Sequence, residues 1–310
     1  MSDFSDEWLA LRAPADSRAR ADALVRRLSI DPAVGIDVLD LGCGTGANLR
    51  HLAPLLAVAG AREQRWTCVD LDSALLDKLP ARSAGWAAEN GLAFVAETGG
   101  FGLRAPSVAR ASGGSASDGI GWRCRVRTLQ LDLATSADRL PLPSGGLITA
   151  SALLDLVSAP WLDALLRRCQ DARCQLLFAL SYDGRCEMTP SHPNDVTLID
   201  LVNQHQRTDK GFGPALGPDA ATHTEARCQA LGYRTDSATS DWDIGPEEPT
   251  LQRALIDGWH RAALELARTR MDRKQKGRID TWHADRVRMI DEKDSRLRVG
   301  HRDLVAWLDG

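Results

Sequence analysis

One short stretch, residues 38–48, constrains the fold more than any other part of the chain. Its sequence, VLDLGCGTGAN, has an apolar segment typical of a buried strand, then the alternating Gly42, Gly44 and Gly46, then a helix start at about Ala47. Glycine accepts backbone angles that a Cβ forbids, and it lets the main chain approach a ligand closely. The free N–H groups and positive dipole end of the following helix suit an anionic group. The stretch therefore predicts a nucleotide-like ligand at the carboxyl edge of a parallel sheet.

The composition excludes several other classes of protein. The 310 residues carry a net charge of −4, which gives no indication of nucleic-acid binding. No run approaches the roughly 20 apolar residues of a membrane span, and the N-terminus is acidic, unlike a secretory signal. The seven cysteines are scattered without a CxxC pair, so we expect reduced thiols and no metal site. These features predict a cytoplasmic protein, and they allow a homodimer without indicating one.

Strand-like and helix-like segments alternate along most of the chain. The predicted strands are 36–41, 65–70, 125–131, 146–151, 175–181, part of 233–244, and 296–307. Their spacing suits right-handed crossovers. We therefore predict an α/β fold, a doubly wound and mostly parallel sheet with helices on both faces, in one domain over residues 1–310. Residues 6–28 should form N-terminal helices, and residues 97–122, with a long Gly-, Ser- and Ala-rich stretch, an irregular insertion.

A charged row lies on the N-terminal helical segment, where Arg12, Asp16 and Arg20 recur every four residues. The favoured interpretation is a solvated face with salt bridges. The alternative places Arg12 over the glycine stretch, where it could meet a ligand carboxylate.

The glycine pattern by itself leaves two cofactors open. Gly42-x-Gly44-x-x-Ala47 also satisfies the loose dinucleotide pattern of nicotinamide and flavin enzymes. Acids follow or end three predicted strands: Asp40, Asp70 and Asp132. A carboxylate at Asp40 would repel a pyrophosphate and favour an amino group, while Asp70 could bind a ribose diol and Asp132 an adenine amine. Together they favour S-adenosyl-L-methionine.

With these residues the chain resembles the class I, Rossmann-like S-adenosylmethionine-dependent methyltransferases, over roughly residues 30–185. The resemblance implies a seven-stranded sheet whose last strand, 296–307, is antiparallel and lies between the fifth and sixth. It implies that Asp40 supports the loop and its ligand. Cofactor contacts are implied for the loop (Gly42, Cys43, Gly44, Gly46), for the ribose and adenine side (Asp70, Leu71, Asp132, Leu133), and below the sulfonium (Ser151, Ala152). For Asp132 a simple helix cap is the alternative.

The chain departs from this family between its sixth and seventh strands, where some fifty residues replace a short hairpin. Residues 184–220 and 245–294 should emerge on the cofactor side of the sheet. Each segment is a candidate lid, and scaffold or dimer surface is an equally good interpretation.

Candidates for the acceptor site follow the fourth and fifth strands. Asp155 and His205 are candidate catalytic residues, as a base or as an orienting group. Tyr182, Asp183 and Lys210 are candidate substrate-binding residues. Ordinary capping and loop packing explain most of these residues equally well.

The resulting prediction is a methyltransferase that uses S-adenosyl-L-methionine, releases S-adenosyl-L-homocysteine, and modifies oxygen, nitrogen or carbon of a small polar metabolite. One alternative is an NAD(P)-dependent oxidoreductase. The other is a non-catalytic S-adenosylmethionine-binding partner subunit.

Overall fold

The computed structural model describes residues 5–106, 121–270 and 273–309. The helices are α1 Asp6–Ala19, α2 Ala47–Val58, α3 Ser73–Glu89, α4 Leu133–Ser136, α5 Ala159–Asp171, α6 Asp195–Gln206, α7 Ala220–Ala230, α8 Pro249–Arg270 and α9 Arg273–Asp291. The strands are β1 Ile36–Leu41, β2 Glu63–Asp70, β3 Ala93–Glu97, β4 Gly100–Ala105, β5 Trp122–Gln130, β6 Leu147–Ser151, β7 Gln175–Thr189, β8 Arg234–Thr239, β9 Trp242–Ile244 and β10 Arg296–Trp307.

The strands form one sheet in the order β3-β4-β5-β2-β1-β6-β7-β10-β8, with β9 paired to β10. Strands β5, β2, β1, β6 and β7 are parallel, and β10 lies antiparallel between β7 and β8. The predicted α/β class, the mostly parallel sheet and the place of the last strand are confirmed. The predicted count of seven strands is wrong. Within the described residues the sheet has ten, because the β3–β4 hairpin extends its β5 edge and β9 adds to β10.

Strand β7 is much longer than predicted. It continues from Ser181 to Thr189, and this part pairs with the first half of β10. Helices α6, α8 and α9 bury apolar side chains against the resulting ribbon, including Leu198, Ile256 and Trp282. The two segments predicted as lids, 184–220 and 245–294, therefore contribute to a hydrophobic core, as the scaffold interpretation expects. Whether they also open as lids stays a prediction.

The favoured interpretation of the charged row on α1 is right about the salt bridges, since Arg12 lies 2.8 Å from Asp16, but wrong about solvation. The side chains of Arg12, Asp16 and Arg20 are only 11%, 15% and 6% exposed. Helix α1 packs this row against the carboxyl edge of the sheet, since Arg20 lies 3.8 Å from Asp303 of β10. Burial of three charged side chains is costly unless they are paired, so α1 builds a polar interior there.

One face of the sheet beside β5 has little helical cover. The β5 side chains alternate from Trp122 to Arg127, with Arg123, Arg125 and Arg127 exposed. The connection to β6 contains the four-residue helix α4 and one 3-10 turn in place of a full crossover helix. A groove of about 440 Å³ results, lined in part by Arg65 and Arg127. Most of the predicted insertion at 97–122 lies outside the described residues, while its first part forms β4.

All seven cysteines are free thiols, and six of them are buried. Among the described residues, no helix combines the length and apolar character needed to cross a bilayer. In the same part of the chain, no group of three or more His, Cys, Asp or Glu side chains is placed to hold a metal ion.

Candidate functional site

The loop between β1 and α2, residues 42–46, is here called the glycine loop. Gly42, Gly44 and Gly46 all adopt left-handed backbone angles, with φ of 62°, 52° and 82°. A Cβ at Gly44 would lie 3.0 Å from Leu9 Cδ1 of α1. Side chains are therefore disfavoured at Gly44 both by conformation and by the helix that covers the loop.

Asp40 lies beneath the glycine loop and is completely buried. Its Oδ1 accepts a 2.7 Å hydrogen bond from Asn48 Nδ2, while its Oδ2 has no partner. Arg20 donates to Asn48 Oδ1 at 2.9 Å, which connects α1 to this network. Burial raises the pKa of Asp40 to about 7 against the opposing effects of Asn48 and Arg20. Asp40 thus supports the loop through Asn48 and keeps one carboxylate oxygen without a hydrogen-bond donor.

Asp70 ends β2 directly beside the glycine loop. Its carboxylate accepts N–H hydrogen bonds from Gly44 at 2.8 Å and from Asp72 at 2.9 Å. The next residue, Leu71, is 56% exposed, which is unusual for a large apolar side chain in this protein. The side chain of Cys43 is buried in the core beneath the loop. The structure thus places Asp70, an exposed apolar residue and the loop backbone together.

Asp132 caps the short helix α4. Its two carboxylate oxygens accept from the Ala134 N–H and from Thr135 Oγ1, both at 2.9 Å. Leu133 is buried in the core, and its carbonyl accepts a hydrogen bond from Trp161. These contacts match the helix-cap alternative, and the adenine contacts of both residues stay predictions.

Strand β6 leads into a second buried carboxylate. After Ser151, Ala152 adopts a left-handed φ of 53°, and its N–H donates to the Ala179 carbonyl at 2.9 Å. The chain then turns so that Asp155 is buried, with Oδ1 unpartnered. Burial raises the pKa of Asp155 to about 6, whereas its own N–H, that of Tyr182 and the charge of Arg12 act to lower it.

Around Asp155, five parts of the chain meet in what is here called the polar cluster: Arg12, Asp16, Asp155, Tyr182, Trp242 and His301. Asp16 accepts from Arg12 Nε at 2.8 Å and from Trp242 Nε1 at 3.1 Å. The Arg12 guanidinium lies 5.5 Å from the Trp242 ring centroid. The His301 ring lies 4.9 Å from that of Trp242 and 6.1 Å from that of Tyr182.

Sequence reasoning missed Trp242 and His301 as members of this cluster. Each lies on a strand whose local pattern indicates only a half-buried surface. What brings them there is the pairing of β9 and β10, which are more than fifty residues apart along the chain.

His301 is the exception among the seven histidines. The six others, His51, His192, His205, His223, His260 and His283, each pair with a carboxylate within 4.0 Å. His301 instead contacts the carbonyl of Val299 through Nδ1 at 3.0 Å. A carbonyl can only accept, so Nδ1 donates and Nε2 carries the lone pair of the neutral ring. Burial and the charge of Arg12 lower the pKa of His301 to about 4.

The remaining predicted site residues are distributed differently. His205, in the last turn of α6, pairs with Glu265 of α8 at 2.9 Å, and Lys210 Nζ lies 3.5 Å from its ring. Asp183 pairs with Arg185, which also binds Asp241. Because Asp241 accepts a hydrogen bond from the His301 N–H at 3.1 Å, Asp183 is connected to the polar cluster indirectly, through Arg185 and Asp241. The hydrogen bonds of His205 connect it to the helical segments.

No family model matches this chain, and no curated protein matches it significantly. Several solved structures are similar to it. A cyclopropane-fatty-acyl-phospholipid synthase-like protein from Lactobacillus casei is 12% identical with a TM-score of 0.48, over 99% of this chain and 95% of that one. An S-adenosylmethionine-dependent methyltransferase from Thiobacillus denitrificans in complex with S-adenosylhomocysteine is 12% identical over 99% and 100% of the two chains, with a TM-score of 0.41. A second such complex, from Geobacter sulfurreducens, is 13% identical over 98% and 99%, also with a TM-score of 0.41.

These likenesses are remote, and it is the strand order that establishes the fold. The series β5-β2-β1-β6-β7-β10-β8, antiparallel only at β10, is the arrangement implied by the family resemblance. The chain has the class I methyltransferase fold. In a class I fold the glycine loop, the end of β2 and the end of β6 share one edge of the sheet, and this edge is where α1 closes over the polar cluster.

Proposed function

We propose that this chain is an S-adenosylmethionine-dependent methyltransferase acting on a small polar metabolite. One observation carries the proposal: the fully buried Asp40 keeps a carboxylate oxygen without a partner directly under a loop of three left-handed glycines. An unpaired buried carboxylate is costly, and an ammonium group of a ligand would satisfy it. A phosphate group at the same place would be repelled, so Asp40 counts against the NAD(P) alternative.

The residues of the glycine loop edge fit this cofactor. The backbone at Gly42, Cys43, Gly44 and Gly46 would hold its methionine part. Asp70, whose oxygens have lone pairs beyond the two N–H bonds they accept, would bind the ribose. The exposed Leu71, with Asp132 and Leu133, would border the adenine. Arg12 would pair with the carboxylate of the cofactor's methionine part. When bound, the cofactor supplies a methyl group on a sulfonium, an electrophile that needs little further activation.

The chain's own contribution is then to align the acceptor, exclude water and remove a proton where the acceptor carries one. Ser151, Ala152 and Asp155 follow β6 at the edge where the methyl group would be presented. Tyr182, Asp183 and Lys210 are the proposed substrate-binding residues, and Asp155 and His205 the proposed proton acceptors. The number of enclosed charged groups in the polar cluster supports a polar acceptor over an apolar one.

Calorimetric titration of the purified protein tests the proposal. S-adenosylmethionine, S-adenosylhomocysteine, NADH and NADPH are titrated in parallel at the same protein concentration. We expect the first two to bind with micromolar dissociation constants and the two nicotinamides not to bind. Binding of the nicotinamides alone would overturn the proposal. Binding of both sulfur compounds, followed by no methyl transfer to any member of a metabolite panel, would favour the non-catalytic partner subunit.

A further inference from the structure

The second buried carboxylate, Asp155, carries a negative charge that its surroundings do not balance through a hydrogen-bonded cation. Asp155 lies after β6, on the same sheet edge as the glycine loop, and Leu153, two residues earlier, lies 3.4 Å from the position of a Cβ at Gly42. Asp155 as a whole is 7% exposed, and its Oδ1 is buried and accepts no hydrogen bond. Oδ1 of Asp155 is therefore free to accept a hydrogen bond from a donor on a ligand.

Arg12, the cation near Asp155, donates its Nε–H to a different carboxylate. The Arg12 guanidinium donates to Asp16, and both oxygens of Asp16 accept hydrogen bonds. His301 is held neutral by burial and by Arg12, so it contributes no positive charge. Arg12 is the cation whose charge acts on Asp155, but it donates its hydrogen bond to Asp16, so among the described residues no cation is hydrogen-bonded to Asp155. A positively charged ligand group at Oδ1 would supply one, and an anionic group there would be repelled.

The uncharged surroundings also favour a cation. The cluster contains the rings of Tyr182, Trp242 and His301, and aromatic faces attract positive charge. The Arg12 guanidinium 5.5 Å above Trp242 is an example of this contact within the cluster itself. The hydroxyl of Tyr182 is engaged with Asn203 Oδ1 at 2.8 Å, so Tyr182 offers its ring to a ligand more readily than its hydroxyl.

We propose that the methyl acceptor is an amine, held as its ammonium form by the unpartnered oxygen of Asp155 beside the aromatic rings of the polar cluster. This assignment rests on the proposed function and adds the substrate class to it. The ammonium nitrogen transfers one proton to the Asp155 carboxylate, giving the free amine and the carboxylic acid, and solvent later removes that proton. The free amine has the lone pair that a methyl acceptor needs, whereas the ammonium form does not.

Three probes of similar shape and different charge test the assignment: phenethylammonium, 2-phenylethanol and 3-phenylpropionate. Each is titrated at about pH 8 into the protein saturated with S-adenosylhomocysteine, because Asp155 is then ionised and the amine is still protonated. We expect phenethylammonium to bind at least about tenfold more tightly than the other two, as for a hydrogen bond between charged groups. This comparison uses the unaltered protein and does not depend on a variant folding.

Two substitutions locate the effect. Asp155→Asn should bring phenethylammonium to the affinity of the alcohol while S-adenosylhomocysteine binds as before. Asp138→Asn, at an exposed site in the turn after α4, is the matched control and should change neither affinity.

Each contrary result has a distinct meaning. Equal affinities for the three probes, or an amine preference that survives Asp155→Asn, would overturn the assignment. If Asp155→Asn weakens S-adenosylmethionine but not S-adenosylhomocysteine and no amine preference exists, the carboxylate balances the sulfonium and the amine assignment is wrong. Failure of S-adenosylhomocysteine to bind would instead overturn the proposed function, and it is measured first, in a separate titration.

Discussion

The glycine loop lies over one buried carboxylate, Asp40, and the polar cluster contains another, Asp155, and each carboxylate has one oxygen without a hydrogen-bond partner. They differ in how they are assembled. Asp40 and its hydrogen-bonding partner Asn48 are eight residues apart, on the strand and helix that flank the loop. Asp155 is surrounded by side chains that begin at Arg12 and end at His301. One region is thus determined by a local motif and the other by long-range packing, so substitutions in the two should have different consequences.

The largest effect is expected at the glycine loop. In Gly44→Val, a β-branched residue would occupy a left-handed conformation and contact Leu9. We expect a loss of S-adenosylhomocysteine affinity of more than about 100-fold, because the loop backbone must move. Gly85→Ala is the matched control, since a Cβ there meets nothing within 4 Å. Normal cofactor affinity in folded Gly44→Val would show that the loop is not the cofactor site.

A smaller loss is expected at the end of β2. Asp70→Ala removes the carboxylate proposed to bind the ribose and also the acceptor of the Gly44 N–H. The affinity for S-adenosylhomocysteine should fall by about 1–3 kcal/mol, the usual contribution of hydrogen bonds to a charged group. Asp72→Ala, which caps α3, controls for a general loss of helix stability. Unchanged affinity in a folded Asp70→Ala protein would remove Asp70 from the site.

Asp40 should give the protein without cofactor an unusual pH dependence of stability. Burial raises the pKa of Asp40 to about 7 from an ordinary value of 3.8. Between these pH values the folded state binds the extra proton, so its free energy of unfolding falls as the pH rises. Asp40→Asn lacks this pH dependence. Between about pH 4 and 7, its free energy of unfolding should therefore rise relative to that of the unaltered protein by at most roughly 3–4 kcal/mol.

Urea unfolding at several pH values measures this difference for the two proteins. Asp155 and His301 also contribute to the pH dependence of the free energy of unfolding, but they do so in both proteins, so their contributions cancel to first order in the difference. Saturating S-adenosylmethionine should reduce the difference, because its ammonium group would balance ionised Asp40. If the free energies of unfolding of the two proteins change in the same way with pH, burial does not raise the pKa of Asp40 in the folded state.

The smallest effect on turnover is expected at His205, once an acceptor is known. Its ring pairs with Glu265 between α6 and α8, whereas Asp155 lies among the side chains of the polar cluster. His205→Ala should leave cofactor affinity nearly intact and lower kcat less than Asp155→Asn does. His283→Ala, which loses a similar pair with Asp257, controls for damage to the helices. A kcat loss at His205 as large as that at Asp155 would identify His205 as the proton acceptor.

Much of the fold could be predicted because its signals are local. The apolar run before Gly42 indicates β1, Asp70 marks the end of β2, and Asp132 follows the end of β5, the next strand beyond β2 in the sheet. The contacts of Asp132 could not be predicted, because a carboxylate after a strand can cap a helix or bind a ligand with the same sequence around it. The burial of Arg12 and Asp16 was also missed, since their four-residue spacing is typical of solvated helices.

The sequence by itself determined the glycine loop, because glycine is strongly favoured in the left-handed backbone conformation and three alternating glycines are visible residue by residue. It also determined the alternation of strands and helices, from which the parallel sheet follows. Only the tertiary structure decided the polar cluster. The long β7 and the antiparallel insertion of β10 bring His301 to Tyr182, and the packing of α1 over the sheet edge brings Arg12 to Asp155. The charge, burial and protonation of such groups depend on neighbours hundreds of residues away, and no local pattern specifies them.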